Sequence, residues 1–314
     1  MLHDYGVMNA AALMDRVFEL YRDTFKTQIA FSLIIGIISF IMMIALGVAL
    51  ALVVGIAVGI GGNFDEQFIL VAVLLVLAGI LPLYMGWMYL SSSGHILLSK
   101  QAFYGEPIEL PFRDVFAAFL RIMSAGVAQI LLSVPWILLL VFVIYSTAAG
   151  YVDFFQFFAM MHPLVLILAG FAYAVLYVIY SNVFALSIPV AIFEGRYFLS
   201  TVRRSFQLIR GDFWRVLGIR MLWAFLVFLF SYSAQGLIVF VVGMIAFSGG
   251  AVVDLGDLWL ATGALQFYIS LFVGILIGPM EGIMTALIYF NQKIKKDGLD
   301  IEIGLNRLGR GYTT

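Results

Sequence analysis

The residue best placed to do chemistry is Glu281, the only charged side chain set well within an apolar stretch, in Gly278-Pro279-Met280-Glu281-Gly282. Ionisable groups inside a hydrocarbon layer are costly and mark functional positions. Three roles are open: a proton or cation site, a neutral hydrogen-bonded acid, or a near-interface carboxylate reaching cytoplasmic water. On a helical wheel Glu281 lies about 60° from Gly278, on the face of Ser270, Gly274, Gly278 and Gly282, so it is expected to point into a helix bundle. Thirteen residues before Gly105, Gly195 and Gly298 stand Ser92, Asn182 and Thr285. If the chain repeats, these three converge at one depth, with His95 nearby, as a small polar site open to the cytoplasm. Ordinary interhelical hydrogen bonding would use the same residues.

A second candidate set is cationic: Arg196, Arg203, Arg204 and Arg210. Basic residues on an inner membrane face attract anionic headgroups with about 1 kcal/mol each, and they also fix topology. Other chemistries are not indicated. There is no Cys, and His95 has no second ligand at metal spacing. No phosphate-binding Gly-Lys-Ser/Thr loop, serine nucleophile elbow or paired intramembrane Asp is present. No enzyme activity, cofactor, metal or nucleic-acid partner is expected.

These residues sit among apolar stretches at about 29–60, 68–98, 125–148, 163–190, 216–247 and 258–290. All 17 Lys and Arg fall in the basic regions 1–28, 99–124, 191–220 and 292–314, the third of which overlaps the start of the stretch at 216–247. The other gaps hold only Asp65, Glu66, Asp153, Asp254 and Asp257, with His162. Such sorting is the mark of the positive-inside rule. Of the 314 residues 64% are hydrophobic and 11% charged, far from the roughly 25% charged of soluble domains. Lipid cannot satisfy an open backbone, so each run is expected to be a helix. The fold class expected is all-α: a polytopic membrane protein with six transmembrane helices as three hairpins and both ends cytoplasmic. No signal peptide is evident in the first 28 residues.

Each odd-numbered span is preceded by an amphipathic segment: Leu13, Val17, Phe18, Tyr21 and Phe25; Phe112, Val115, Phe116, Phe119 and Met123; Phe198, Val202, Phe206, Ile209 and Phe213. These are expected to lie in the inner interface or to pack beneath the bundle. The chain is then one membrane domain, 1–314, with pseudo-repeats at about 10–98, 112–190 and 198–290 and a cytoplasmic tail at 291–314. Small residues recur every fourth position at Gly47, Ala51, Gly55 and Gly59, and again at Gly274, Gly278 and Gly282. That spacing lets helices approach closely, so the first and last spans are expected to touch; a homodimer interface is the other use.

The run from Pro279 to Glu302, with Thr285-Ala286-Leu287-Ile288-Tyr289-Phe290-Asn291-Gln292-Lys293 and Asp300-Ile301-Glu302, resembles the closing motif of the bacterial glycerophosphoryl diester phosphodiesterase membrane domain family. Segments Leu13 to Arg22 and Arg203 to Trp214 are similar to its inner helices. Phe290-Asn291 stands where that family often has Tyr-Asp. The resemblance implies a stand-alone membrane domain in a cytoplasmic membrane, without the family's catalytic barrel.

The function expected is a non-enzymatic integral membrane scaffold or accessory subunit that binds membrane lipids or another membrane protein. The alternative is a small-solute or lipid permease with Glu281 in its pathway.

Overall fold

A computed structural model describes residues 7–61, 87–148, 163–248, 255–299 and 301. The expected outer residues Asp65, Glu66, Asp153, His162 and Asp254 and the tail cations Arg307 and Arg310 lie outside them. The elements are helical throughout the described residues: α1 (Ala10–Gly61), α2 (87–104), α3 (Phe112–Ala117), α4 (Phe119–Ala148), α5 (Pro163–Asn182), α6 (Ser187–Phe193), α7 (Leu199–Ile209), α8 (Phe213–Ser248) and α9 (Leu255–Asp297). Four stretches, Ala10–Met42, Phe171–Phe193, Phe213–Leu237 and Phe272–Asp297, are long and apolar enough to cross a membrane. Among the described residues the protein is all-helical, with four helices that could cross a membrane.

α1 corrects one expectation. An interfacial helix followed by a separate span was read from the change from charged to apolar residues near Gln28. The structure has one helix of 52 residues, about 78 Å long at 1.5 Å per residue. Nothing in Phe25-Lys26-Thr27-Gln28-Ile29 breaks a helix. A change of polarity alters which medium a helix prefers, not its hydrogen bonding. Since the hydrocarbon layer is about 30 Å thick, α1 must extend well beyond it.

The core sits at the end of the bundle where α1 begins and α9 finishes. Leu13, Val17, Ile96, Leu186, Val190, Leu208, Ile209, Ile283 and Leu287 are all buried there. Further along, Ile37, Ile41 and Ile44 of α1 and Phe225, Phe230 and Leu237 of α8 are exposed. A protein that buries its helix ends and displays bulky apolar side chains midway along them is built for a lipid solvent.

α1 packs most extensively on α9, as the sequence led us to expect, but through other residues. Tyr21 Oη donates to the Leu276 carbonyl at 2.6 Å, and Gly36 lies against Ile275. The Asn291 amide clamps the chain ahead of α1, accepting from Met8 N–H at 2.9 Å and donating to Met8 C=O at 3.1 Å. Among the described residues nothing lies within 4 Å of a Cβ placed on Gly47, Gly55, Gly274 or Gly278. Gly282 alone of these makes a close approach, and its neighbour is α2: a Cβ there would stand 2.4 Å from His95 Cβ.

The amphipathic segment at 198–213 divides differently from its expected stripe. Val202 and Ile209 are buried, with Thr201, Ser205 and Leu208, against the bundle, whereas Phe198 and Phe206 are exposed. Phe198 precedes the helix with φ 48°, a left-handed conformation uncommon for an aromatic residue, and its N–H donates to Ser124 Oγ at 3.1 Å. α7 therefore packs beneath the bundle by one face and presents a mixed aromatic and cationic face outward.

Candidate functional site

The sequence-selected polar residues Ser92, Asn182 and Thr285 are not joined into one hydrogen-bonded group among the described residues. Ser92 and Thr285 are half-buried and Asn182 is fully buried. Two arrangements take up His95, Asn182 and Glu281 instead.

The first is centred on His95. Its Nδ1–H donates to Gln28 Oε1 at 2.7 Å, its Nε2 faces Ser32 Oγ at 3.4 Å, and Phe31 meets the ring edge-on at a centroid distance of 5.1 Å. Gln28 is fully buried and His95 is 5% exposed. One side of the imidazole thus joins α2 to α1, while its Cβ rests on Gly282 of α9. A buried polar side chain is retained when its hydrogen bonds are supplied, and here the histidine fastens three helices together. No group of three potential metal ligands occurs among the described residues.

The second lies between α5, α8 and α9. Arg220, seven residues into α8, donates from Nη1 to Asn182 Oδ1 at 3.2 Å, and Asn182 Nδ2 donates to the Phe213 carbonyl at 3.3 Å. Arg220 and Glu281 both line a cleft of about 740 Å³ with Ser181, Trp223, Phe228 and Ser231. A smaller cleft of about 230 Å³ shares Trp223, Ser231 and Glu281 and adds Gln235 and Gly278. Glu281 does lie with the glycine face of α9, as its spacing indicated. Around Gly274 and Gly278 that face, however, opens onto a cleft instead of a packed interface, and Glu281 is exposed. Arg220 was hidden in the sequence because it was counted with the inner basic region. Its signal was its position four residues inside the apolar stretch beginning at Val216.

The four arginines also separate. Arg204 Nε–H is shared between Glu194 Oε1 and Oε2 at 3.1 and 3.0 Å, and the Arg204 guanidinium pairs with Asp297. Arg196 also binds Glu194, at 3.0 Å. Burial works to raise the Glu194 carboxyl, but the hydrogen bonds from Arg204 and Arg196 and the charges of Arg204 and Lys293 outweigh it and hold the group below the usual carboxylate range. Next to this, Lys295 Nζ donates to both oxygens of Asp212 at 2.7 and 2.6 Å, lowering that carboxyl against the opposing effect of burial. Arg203 and Arg210 stay outside these pairs. Both are exposed: Arg203 shares the helical face of Phe206, and Arg210 follows the last turn of α7, close in sequence to Trp214, which is 73% exposed. A further cleft, of about 180 Å³, places Lys100 and Lys293 among Tyr104, Phe193, Tyr289 and Phe290. These two lysines were missed because nothing in the sequence sets them apart from other inner cations.

Gly105, Gly195 and Gly298, the three glycines that suggested a repeat, have φ of 70°, 66° and 67°. Each follows the last turn of a helix, where a left-handed residue satisfies terminal carbonyls and glycine has no Cβ to clash.

Comparison with protein-family models, curated proteins and solved structures gives no match.

Proposed function

We propose that this chain is a six-span protein of the cytoplasmic membrane that binds anionic lipid headgroups at its inner face, as a non-enzymatic scaffold or accessory subunit. The observation that carries the reading is the division of the arginines. Arg196 and Arg204 are consumed by Glu194 and Asp297, whereas Arg203 and Arg210 are exposed, Arg203 on the face of Phe206 and Arg210 just past the last turn of α7. Exposed cations interleaved with exposed aromatics suit a headgroup boundary, where the ring enters the acyl margin and the guanidinium meets phosphate. The Lys100 and Lys293 cleft adds a second cationic element. The resemblance of the Pro279 to Glu302 run to a stand-alone membrane domain agrees with this reading.

The test is association of spin-labelled phosphatidylglycerol with the reconstituted protein. Replacing Arg203 and Arg210 together by Gln should weaken it roughly thirtyfold, given about 1 kcal/mol per cation, without loss of fold. Unchanged association would refute the reading.

The permease alternative draws on one observation, that Glu281 opens onto a cleft. It requires that Glu281→Gln alter uptake or efflux in a folded protein.

A further inference from the structure

We propose that the cleft between α5, α8 and α9 is a binding site for a zwitterionic phospholipid headgroup of the phosphoethanolamine class, with phosphate on Arg220 and Trp223 and ammonium on Glu281. The inference extends the lipid-binding reading but uses none of the residues on which that reading stands.

Three features lead to it. First, Arg220 and Glu281 line one cleft with opposite charges yet do not form an ion pair within 4.0 Å. Charges left to themselves in a low-dielectric medium close on one another, because their attraction grows as water is removed. Here Arg220 is held by Asn182 Oδ1 at 3.2 Å, and Glu281 is exposed, feels the Arg220 charge across the cleft, and makes no hydrogen bond or close ion pair among the described residues. The two charges are thus held apart facing a common space, the arrangement that a ligand bearing both signs would complete.

Second, Trp223 lines the same cleft, is only 5% exposed, and its Nε1 has no hydrogen-bond partner among the described residues. A buried indole N–H is ordinarily paired. An anionic oxygen bound to Arg220 would supply its acceptor. Ser231 Oγ lies on the shared wall of both clefts and is available to the ammonium.

Third, the cleft has the size and wall of a lipid site. Its volume of about 740 Å³ falls within the roughly 300–1,000 Å³ range of small-molecule sites. Its rim carries Met221, Phe225 and Phe228, each more than half exposed, on a helix apolar enough to span a membrane. Acyl chains could run along this rim while the polar headgroup turned inward. A free zwitterionic solute offers the same charges but gains nothing from the apolar rim.

The experiment is titration of the purified full chain in detergent with phosphatidylethanolamine and phosphatidylglycerol, followed by native mass spectrometry. Neutralising Arg203, Arg210, Lys100 and Lys293 beforehand removes the cationic elements proposed for the inner face. Phosphatidylethanolamine should then bind at least about tenfold more tightly than phosphatidylglycerol. Glu281→Gln should abolish that preference, and Arg220→Gln should weaken both lipids. Trp223→Phe should reduce binding several-fold with the fold retained. Equal affinities in the protein with Glu281 intact, or a preference that survives Glu281→Gln, would overturn the proposal. So would competition by water-soluble glycerophosphoethanolamine at concentrations comparable to the lipid, which would assign the site to a free solute. Glu281 is exposed and makes no hydrogen bond or close ion pair among the described residues, so its replacement by Gln leaves folding intact and keeps the test decisive even if Arg220→Gln does not fold. Loss of phosphatidylglycerol binding on removing Arg203 and Arg210 reads the inner face alone, so either idea can fail without the other.

Discussion

Arg204 and Glu194 are joined through one N–H shared between two carboxylate oxygens, at 3.1 and 3.0 Å. With Asp297 on the far side of the guanidinium, this pair ties the loop after α6 to α7 and to the end of α9. Tyr289 Oη adds a hydrogen bond to Glu194 at 3.2 Å. The Glu194 and Arg204 side chains are 11% and 19% exposed, so solvent screens this contact less than it does a surface ion pair.

Glu194→Gln is therefore expected to destabilise the protein by about 1–3 kcal/mol, measured by chemical unfolding in mixed micelles. The Glu194 carboxyl is depressed in the folded state, so its contribution is fully present above the unfolded carboxyl value of about 4.3. It is lost as pH falls through the lower folded value. The stability gap between the two proteins should shrink on acidification; a gap that stayed constant to about pH 3 would contradict this account.

Gly282 and Gly278 occupy the same face of α9 and should respond differently to alanine. A methyl at Gly282 meets His95 Cβ at 2.4 Å, whereas none of the described residues approaches a methyl at Gly278. Gly282→Ala is expected to cost about 1–3 kcal/mol by overpacking. Gly278→Ala should be neutral or stabilise by up to about 1 kcal/mol through helix propensity. Thermal unfolding of the two variants side by side decides the matter, and equal effects would show that the α2–α9 approach is misplaced.

Asn291 uses both ends of its amide on Met8, and an aspartate at that position could accept but not donate. Asn291→Asp is expected to loosen the chain ahead of α1 and to lower stability by about 1–2 kcal/mol, with faster amide exchange at Met8. Retention of wild-type exchange would argue against the clamp.

The buried His95 to Gln28 hydrogen bond predicts a coupling of about 0.5–1.5 kcal/mol in a double-mutant cycle of His95→Ala and Gln28→Ala. Additive losses would show that the two side chains act independently.

The helical class, the apolar stretches and the contact between the first and last helices were legible in the sequence, because lipid leaves a chain few structural options. Which residues make that contact was not. The glycine ladders identify faces on which close approach is sterically possible, but the contact falls instead where Tyr21 and Gly36 of α1 meet α9 and where Asn291 of α9 holds Met8. The stripe on α7 misled for a related reason: Phe198 and Val202 share a period, yet Phe198 lies outside the helix with φ 48° and cannot follow its face. The cleft charges were only half legible. Glu281 stands alone in its apolar stretch, but Arg220 gains its meaning from α5 and α9, and no local spacing connects them. The division of the arginines likewise depends on Glu194 and Asp297, which are far apart in the chain.

The central claim is that the cationic segments share one side of a membrane and the acidic loops the other. The chain contains no Cys, so single cysteines can be introduced without background and labelled in intact cells with a membrane-impermeant maleimide. Asp153→Cys and Asp254→Cys are expected to react from outside, while Glu106→Cys and Lys296→Cys react only after permeabilisation. Protection of Asp153→Cys in intact cells, or external labelling of Lys296→Cys, would contradict the account.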